Sequence, residues 1–265
     1  MIASATSPQS DWDPGAYAKF RGLRLRPALD LLAQVGPLPD GEIVDLGCGA
    51  GVVGPALKAR FKAPVIGVDS SPAMLEKAAK TGAYDRVIGA DARAWRPGQP
   101  PALIFSNALC HWLPDHDALF ARLLAMLQPG GVLAVQMPRQ YLAPSHALLR
   151  DLAQHMFADR FDFSDWTPPV APAEHYARQL DGLGQVNAWE TSFCQILAPV
   201  AQGHPVRHFT ASTAMRPFLE NLDARDAAAF TDAYDAALAQ AYPPMADGRV
   251  MFPFQRVFFT VTRAG

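Results

Sequence analysis

From residue 43 onward, short apolar runs alternate with segments whose apolar positions recur at helical spacing. The runs Ile43–Leu46, Val65–Asp69, Arg86–Ala90, Ala102–Phe105 and Val132–Gln136 read as strands, Val65–Asp69 and Val132–Gln136 as buried ones. Between them, Val52, Val53, Ala56, Leu57 and Phe61 mark one helix, and Ser71 is placed to cap a second that opens on Pro72. His116–Leu127 reads as an amphipathic helix stopped by Pro129-Gly130-Gly131. The alternation of strand and helix through residue 136 predicts an α/β fold, Rossmann-like, with a mostly parallel sheet covered by helices on both faces. Ligands in such sheets bind at the carboxyl edge of the strands.

After Pro138 the pattern loosens. Helices are expected over Ser145–Ala158, Ala173–Leu183, 206–222 and 224–241, and a strand over Val186–Leu197. A last strand is expected over Arg249–Thr262, with Pro253 demoting its first half to a bend or an edge. At the other end, residues 1–11 read as a disordered tail. Residues 12–36 place Trp12, Tyr17, Phe20 and several leucines around Arg21, Arg24 and Arg26, a mostly helical segment suited to a lid or to packing on the sheet. The main domain is therefore expected over 37–263, with helical cap segments near 145–183 and 206–241.

Composition narrows the partner. With 265 residues, 50% of them hydrophobic, the chain can bury one sizeable core with an insertion. A formal charge of −2, with Lys and Arg scattered, gives no footprint for nucleic acid, so a small molecule is the expected partner. Cys48, Cys110 and Cys194 lack disulfide or metal spacing, which predicts no metal site and a reducing compartment. Neither a signal segment nor a membrane-spanning run is visible. The expectation is a cytoplasmic monomer or homodimer with no membrane partner.

The chemistry gathers at strand ends. Ile43–Gly51 is a strand carrying Asp45 that runs into Gly47, Gly49 and Gly51. Gly49–Gly54 also matches GxGxxG, the weak signature of a dinucleotide loop and hence of an NAD(P)-dependent oxidoreductase. The phase argues otherwise: Gly47 already occupies the strand end, and a carboxylate inside the strand repels a pyrophosphate but attracts a cation. S-adenosylmethionine, with its sulfonium and ammonium, fits better. Asp69, about 20 residues beyond the glycines, is placed for ribose hydroxyls. Asp91 ends the third strand, where it can accept from the adenine amine, and Asn107 ends the fourth.

Val44–Gly51, Asp69–Lys77, Asp91, Leu103–Asn107, Trp112–His116 and Leu127–Gln136 resemble the class I S-adenosylmethionine-dependent methyltransferases. Trp12-Asp13-Pro14, Pro144-Ser145-His146, Trp189-Glu190-Thr191, Arg216–Leu219 and Ala241–Pro244 resemble more narrowly the bacterial trans-aconitate 2-methyltransferases. The resemblance implies a seven-stranded sheet with an N-terminal helical lid and a C-terminal helical insertion. It extends the expected cofactor contacts to Ser70, Met74 and Ala92. It also implies methylation of a carboxylate, a group ionised at neutral pH that needs no general base. The substrate set it suggests is Arg24 and Arg216 for bidentate carboxylate pairing, Tyr17 and His111 as further donors, and Trp12 and Phe20 as aromatic lid. This chain departs from the family at Arg139-Gln140-Tyr141, at Phe193-Cys194-Gln195 and at Phe209, Ser212 and Ala214. The alternatives are a phenol or hydroxyl acceptor with His111 as base, the oxidoreductase, and a cofactor-binding protein without catalysis.

Overall fold

The computed structural model describes residues 21–265, with side chains from Leu25 onward. The tail and most of the expected lid lie outside the described residues.

In chain order the elements are α1 (Arg21–Ala33), β1 (Ile43–Leu46), α2 (Gly54–Arg60), β2 (Val65–Asp69), α3 (Pro72–Lys80), β3 (Arg86–Gly89) and β4 (Leu103–Asn107). A single 3-10 turn (Cys110–Trp112) precedes α4 (His116–Met126), β5 (Val132–Pro138), α5 (Pro144–Met156), α6 (Ala173–Leu180) and β6 (Gly184–Leu197). The chain closes with α7 (Pro205–Thr210), α8 (Arg216–Leu219), α9 (Ala224–Ala241) and β7 (Val250–Arg263). The strands form one seven-stranded sheet in the order β3-β2-β1-β4-β5-β7-β6. The first five pair in parallel, and β7 lies antiparallel to β5.

Two compact units divide the chain. The sheet unit holds Gly22–Pro138, Val170–Thr191 and Arg256–Gly265. Every residue of β1 is buried, as is all but the last of β2 and β4, which is why these strands read as unbroken apolar runs. Phe120 of α4 packs edge-on against Tyr176 of α6 and Phe259 of β7, with centroids 5.6 and 4.9 Å apart. The Ser71 side chain accepts the Met74 N–H, and Asp115, at φ 53°, accepts from Ala118, so both helices start where their caps stand.

The helical unit contains Arg139–Pro169 and Ser192–Gln255. Its centre is a buried hydrogen-bond cluster around Ser145. The Ser145 N–H donates to the Tyr242 hydroxyl at 3.1 Å, and its carbonyl accepts from the Tyr234 hydroxyl at 2.7 Å. Gln140 splices the cluster to β7, donating from Nε2 to the Pro253 carbonyl at 3.0 Å and accepting the Gln255 N–H at 2.7 Å.

Two expectations are corrected and one of two alternatives is decided. Residues 206–222 are not one helix but α7 and α8, because Pro217 must sit in a first helical turn and Thr210 turns its hydroxyl back on the Val206 carbonyl. Of the two outcomes expected at Pro253 the edge holds and the bend does not: β7 runs continuously from Val250 to Arg263. Its register on β5 begins only at Arg256, and just before that point the Gln140 side chain takes the place of a backbone partner. In the glycine-rich segment the helix begins at Gly54 rather than Val52, with Pro55 in its first turn.

Candidate active site

Leaving β1, the chain turns across β2: the Gly47 and Cys48 N–H groups both donate to the Val68 carbonyl, at 2.7 and 3.0 Å. Gly47, Gly49 and Gly51 have φ of 78°, 52° and 77°, values that L side chains rarely adopt. Their reasons differ. A Cβ on Gly47 would stand 2.7 Å from Leu109, and one on Gly51 would stand 2.8 Å from the Ala78 backbone. A Cβ on Gly49 would meet no atom of the described residues within 4 Å. Close packing therefore requires Gly47 and Gly51, while Gly49 presents its backbone to open space.

Asp69 ties this loop down. Its Oδ2 accepts the Gly49 N–H and its Oδ1 accepts the Ser71 N–H, each at 2.9 Å. A carboxylate has about four acceptor positions, so capacity remains for ligand hydroxyls. Ser70 beside it is exposed, and the Met74 N–H is turned back on Ser71. At the end of β3, Asp91 is held by its neighbour Arg93, whose Nε lies 3.0 and 2.9 Å from the two carboxylate oxygens. That pairing keeps the carboxyl below its ordinary range. The buried Ala92 gives its carbonyl to the Arg122 guanidinium at 2.7 Å, and Arg122 also reaches the Trp95 carbonyl at 3.2 Å. Arg122 thereby fixes the turn that carries Asp91 and Ala92.

Behind the loop, Asp45 is 2% exposed and its Oδ2 accepts the Tyr84 hydroxyl at 2.6 Å. Burial pushes the Asp45 carboxyl up to about 7; the Tyr84 hydrogen bond opposes that rise and the nearby Asp69 adds to it. Burial and the same carboxylate push the Tyr84 hydroxyl upward too, so the shared proton stays on the phenol. The Tyr84 ring fills space that Gly51, Gly54 and Gly67 leave: a Cβ on Gly54 would lie 2.6 Å from the ring, and one on Gly67 3.1 Å. Gly54, the last glycine of the dinucleotide-like pattern, thus makes room for Tyr84.

At the end of β4, Ala108 has φ of 55° and its N–H donates to the Gln136 carbonyl at 2.9 Å, which turns the chain over the top of β5. A non-glycine residue in that conformation stores strain of the kind found at functional sites. Asn107 Oδ1 is buried with no hydrogen-bond partner among the described residues. His111, 9% exposed, lies four residues on with its ring 4.6 Å from that of Trp112.

A family profile described as a methyltransferase domain matches residues 17–187. Trans-aconitate 2-methyltransferases of Methylobacterium nodulans and Azoarcus sp. are 42% and 41% identical to this chain, over 96% and 95% of its length and 99% of each of theirs. The chain belongs to the trans-aconitate 2-methyltransferase family. It is an S-adenosylmethionine-dependent methyltransferase, and the oxidoreductase alternative falls away. Among solved structures, YcgJ of Bacillus subtilis superposes with a TM-score of 0.55 at 14% identity, over 91% of this chain and all of its own. Phosphoethanolamine N-methyltransferase 2 of Haemonchus contortus gives 0.55 at 18% identity, over 94% of this chain and 56% of its own. At these identities the two share the fold.

For a methyltransferase, the residues present fit the cofactor. Gly49 offers open backbone, Asp69 retains acceptor capacity, Asp45 is a buried carboxylate suited to a cation, and Asn107 carries an orphaned acceptor. The sheet unit brings Asp45, Gly47, Gly49, Gly51, Asp69, Ser70, Met74, Asp91, Ala92 and Asn107 to the carboxyl ends of β1 to β4. Trp12, Tyr17 and Phe20 lie outside the described residues, and Arg24 falls in α1 with its side chain undescribed. Arg216, at the start of α8 in the helical unit, bonds Glu220 at 2.6 Å. Among the described residues no group of His, Cys, Asp and Glu is suited to a metal, and no helix is long and apolar enough to cross a membrane. Tyr84 and Arg122 were not legible as site residues, since neither lies in a motif. The one available signal for Tyr84 was a third and fourth glycine, Gly54 and Gly67, with no ligand to explain them.

Proposed function

We propose that this methyltransferase converts one carboxylate of a small polycarboxylic acid, trans-aconitate foremost, to its methyl ester. Near-full-length identity of about 40% to trans-aconitate 2-methyltransferases carries the reading. The Ser145 cluster supports it, because the family-like Pro144-Ser145-His146 and Ala241-Tyr242 pieces come together there as one buried network.

S-adenosylmethionine supplies an electrophilic methyl group on a sulfonium. Gly49, Asp69 and Ser70 would hold its ribose side, Asp91, Ala92 and Met74 its adenine, and Asp45, Gly47, Gly51 and Asn107 its amino-acid part. The acceptor carboxylate is ionised at neutral pH, so no residue has to remove a proton. The protein contributes alignment, anion recognition and exclusion of water. Arg24 and Arg216 are the proposed carboxylate partners, with Tyr17 and His111 as donors and Trp12 and Phe20 closing the lid. An acceptor carboxylate at Arg216 would displace Glu220, an exposed pairing of small net stability.

The test is formation of S-adenosylhomocysteine with a panel of tricarboxylates, dicarboxylates and phenolic acids. Turnover confined to the polycarboxylates is expected. Turnover confined to phenols would refute the reading and make His111 the candidate base. The enzyme is further proposed to act in the cytoplasm as a monomer or homodimer, which sedimentation at working concentration would check.

A further inference from the structure

The sheet face that carries Asp45 continues as a polar row across the strands next to it. In register, Asp45 stands beside Phe105, Asn107 beside Gln136, Gln136 beside Phe258, and Pro138 beside Arg256. Register partners and residues two apart share a face, so Asp45, Asn107, Gln136, Phe258 and Arg256 all lie on one side of the sheet near the carboxyl ends of β1, β4 and β5. All five belong to the sheet unit.

Gln136 is 0% exposed, yet neither its Nε2 nor its Oε1 has a hydrogen-bond partner among the described residues. A primary amide can donate twice and accept twice, and burying it with nothing paired is costly enough that native structures nearly always supply a partner. Arg256, two residues before Phe258 on β7 and on the same face, is 5% exposed, and a guanidinium carries five donors in a fork that matches a carboxylate. Phe258, stacked on Trp189 with centroids 5.1 Å apart and planes 7° from parallel, stands beside Gln136 in the register as an apolar neighbour.

We infer that Gln136 and Arg256 form the subsite that takes a carboxylate of the methyl acceptor, the amide and the guanidinium donating to its two oxygens. The inference rests on the carboxyl-methyltransferase reading. It gives the sheet unit its own anion-recognition pair, distinct from Arg24 and Arg216. The chemistry matches: a planar, two-oxygen anion can accept from donors on neighbouring strands and leaves the Asn107 and Asp45 oxygens for the cationic part of the cofactor.

Three enzymes test it: wild type, Gln136→Leu and Gln136→Glu. Each is measured for trans-aconitate KM and kcat, for S-adenosylhomocysteine affinity by calorimetry, and for thermal midpoint. Gln136→Leu is expected to raise KM ten- to a hundredfold, the loss of a hydrogen bond to a charged group. Its S-adenosylhomocysteine affinity should stay within twofold, and its midpoint should be unchanged or higher because an unpaired buried amide is gone. Gln136→Glu should raise KM further by placing like charge against the acceptor. Arg256→Gln is the supporting variant, with the same direction in KM. If wild type turns over polycarboxylates while KM of both Gln136 variants stays within twofold, the amide only binds water and the inference is overturned. A wild type inert to every polycarboxylate overturns the functional reading, and the inference with it.

Discussion

Replacing Tyr84 with Phe removes one hydroxyl and keeps the ring that fills the space over Gly51, Gly54 and Gly67. The lost contact is the 2.6 Å bond to Asp45, a carboxyl that burial already holds at about 7 against an ordinary 3.8. An acid raised in the folded state binds its proton more tightly folded than unfolded. Ionised Asp45 therefore opposes folding above pH 7, by about 4 kcal/mol, and that opposition fades as pH falls from 7 toward 4. A hydrogen bond to a charged group contributes about 1.5–3 kcal/mol, so its removal should lift the carboxyl by roughly one to two further pH units. At pH 7 about half of the wild-type carboxyl is ionised, against roughly a tenth or less in Tyr84→Phe. If the ionised form holds the cationic end of the cofactor, S-adenosylhomocysteine affinity at pH 7 should fall roughly five- to fiftyfold, and most of the loss should vanish by pH 9. Calorimetric titration from pH 6 to 9 reads this directly, with wild-type affinity rising through pH 7 and the variant's curve displaced upward. A loss equal at every pH, or no loss, would refute the reasoning.

The other substitutions separate packing from binding. Gly54→Ala drives a Cβ into the Tyr84 ring and should cost about 1–3 kcal/mol, lowering the thermal midpoint by several degrees. Gly49→Ala meets no protein atom, so apart from about 1–2 kcal/mol of backbone strain at φ 52° its expected effect is lost S-adenosylhomocysteine binding, read by calorimetry. Gln140→Ala strands the Pro253 carbonyl and the Gln255 N–H and should destabilise by about 1–3 kcal/mol in denaturant unfolding, without changing cofactor affinity.

Periodicity made the βα core legible because β1, β2, β4 and β5 are buried on both faces, β3 alone being a part-exposed edge, and α2, α3 and α4 each start on a cap or a proline. The candidate acids were legible for a related reason: Asp45 is a charge inside an apolar run, and Asp69 and Asp91 are charges where such runs end. Where long-range pairing decides the structure, local pattern failed. Pro253 signals a bend or an edge, and nothing local shows that the side chain of Gln140, 113 residues earlier, bonds the Pro253 carbonyl and the Gln255 N–H. Gln140 itself reads as a change near the substrate, and the structure shows it splicing β7 to the Ser145 cluster. The polar row from Asp45 to Arg256 is equally invisible in one dimension, because its members lie on four strands and meet only through the register.

The most direct measurement is the fate of the methyl group when the enzyme is given methyl-labelled S-adenosylmethionine and trans-aconitate. The label should enter a monomethyl ester and be released as methanol by mild base, with one S-adenosylhomocysteine formed per ester. Label left wholly in the cofactor, or carried to a base-stable ether on a phenolic acceptor, would contradict carboxyl methylation.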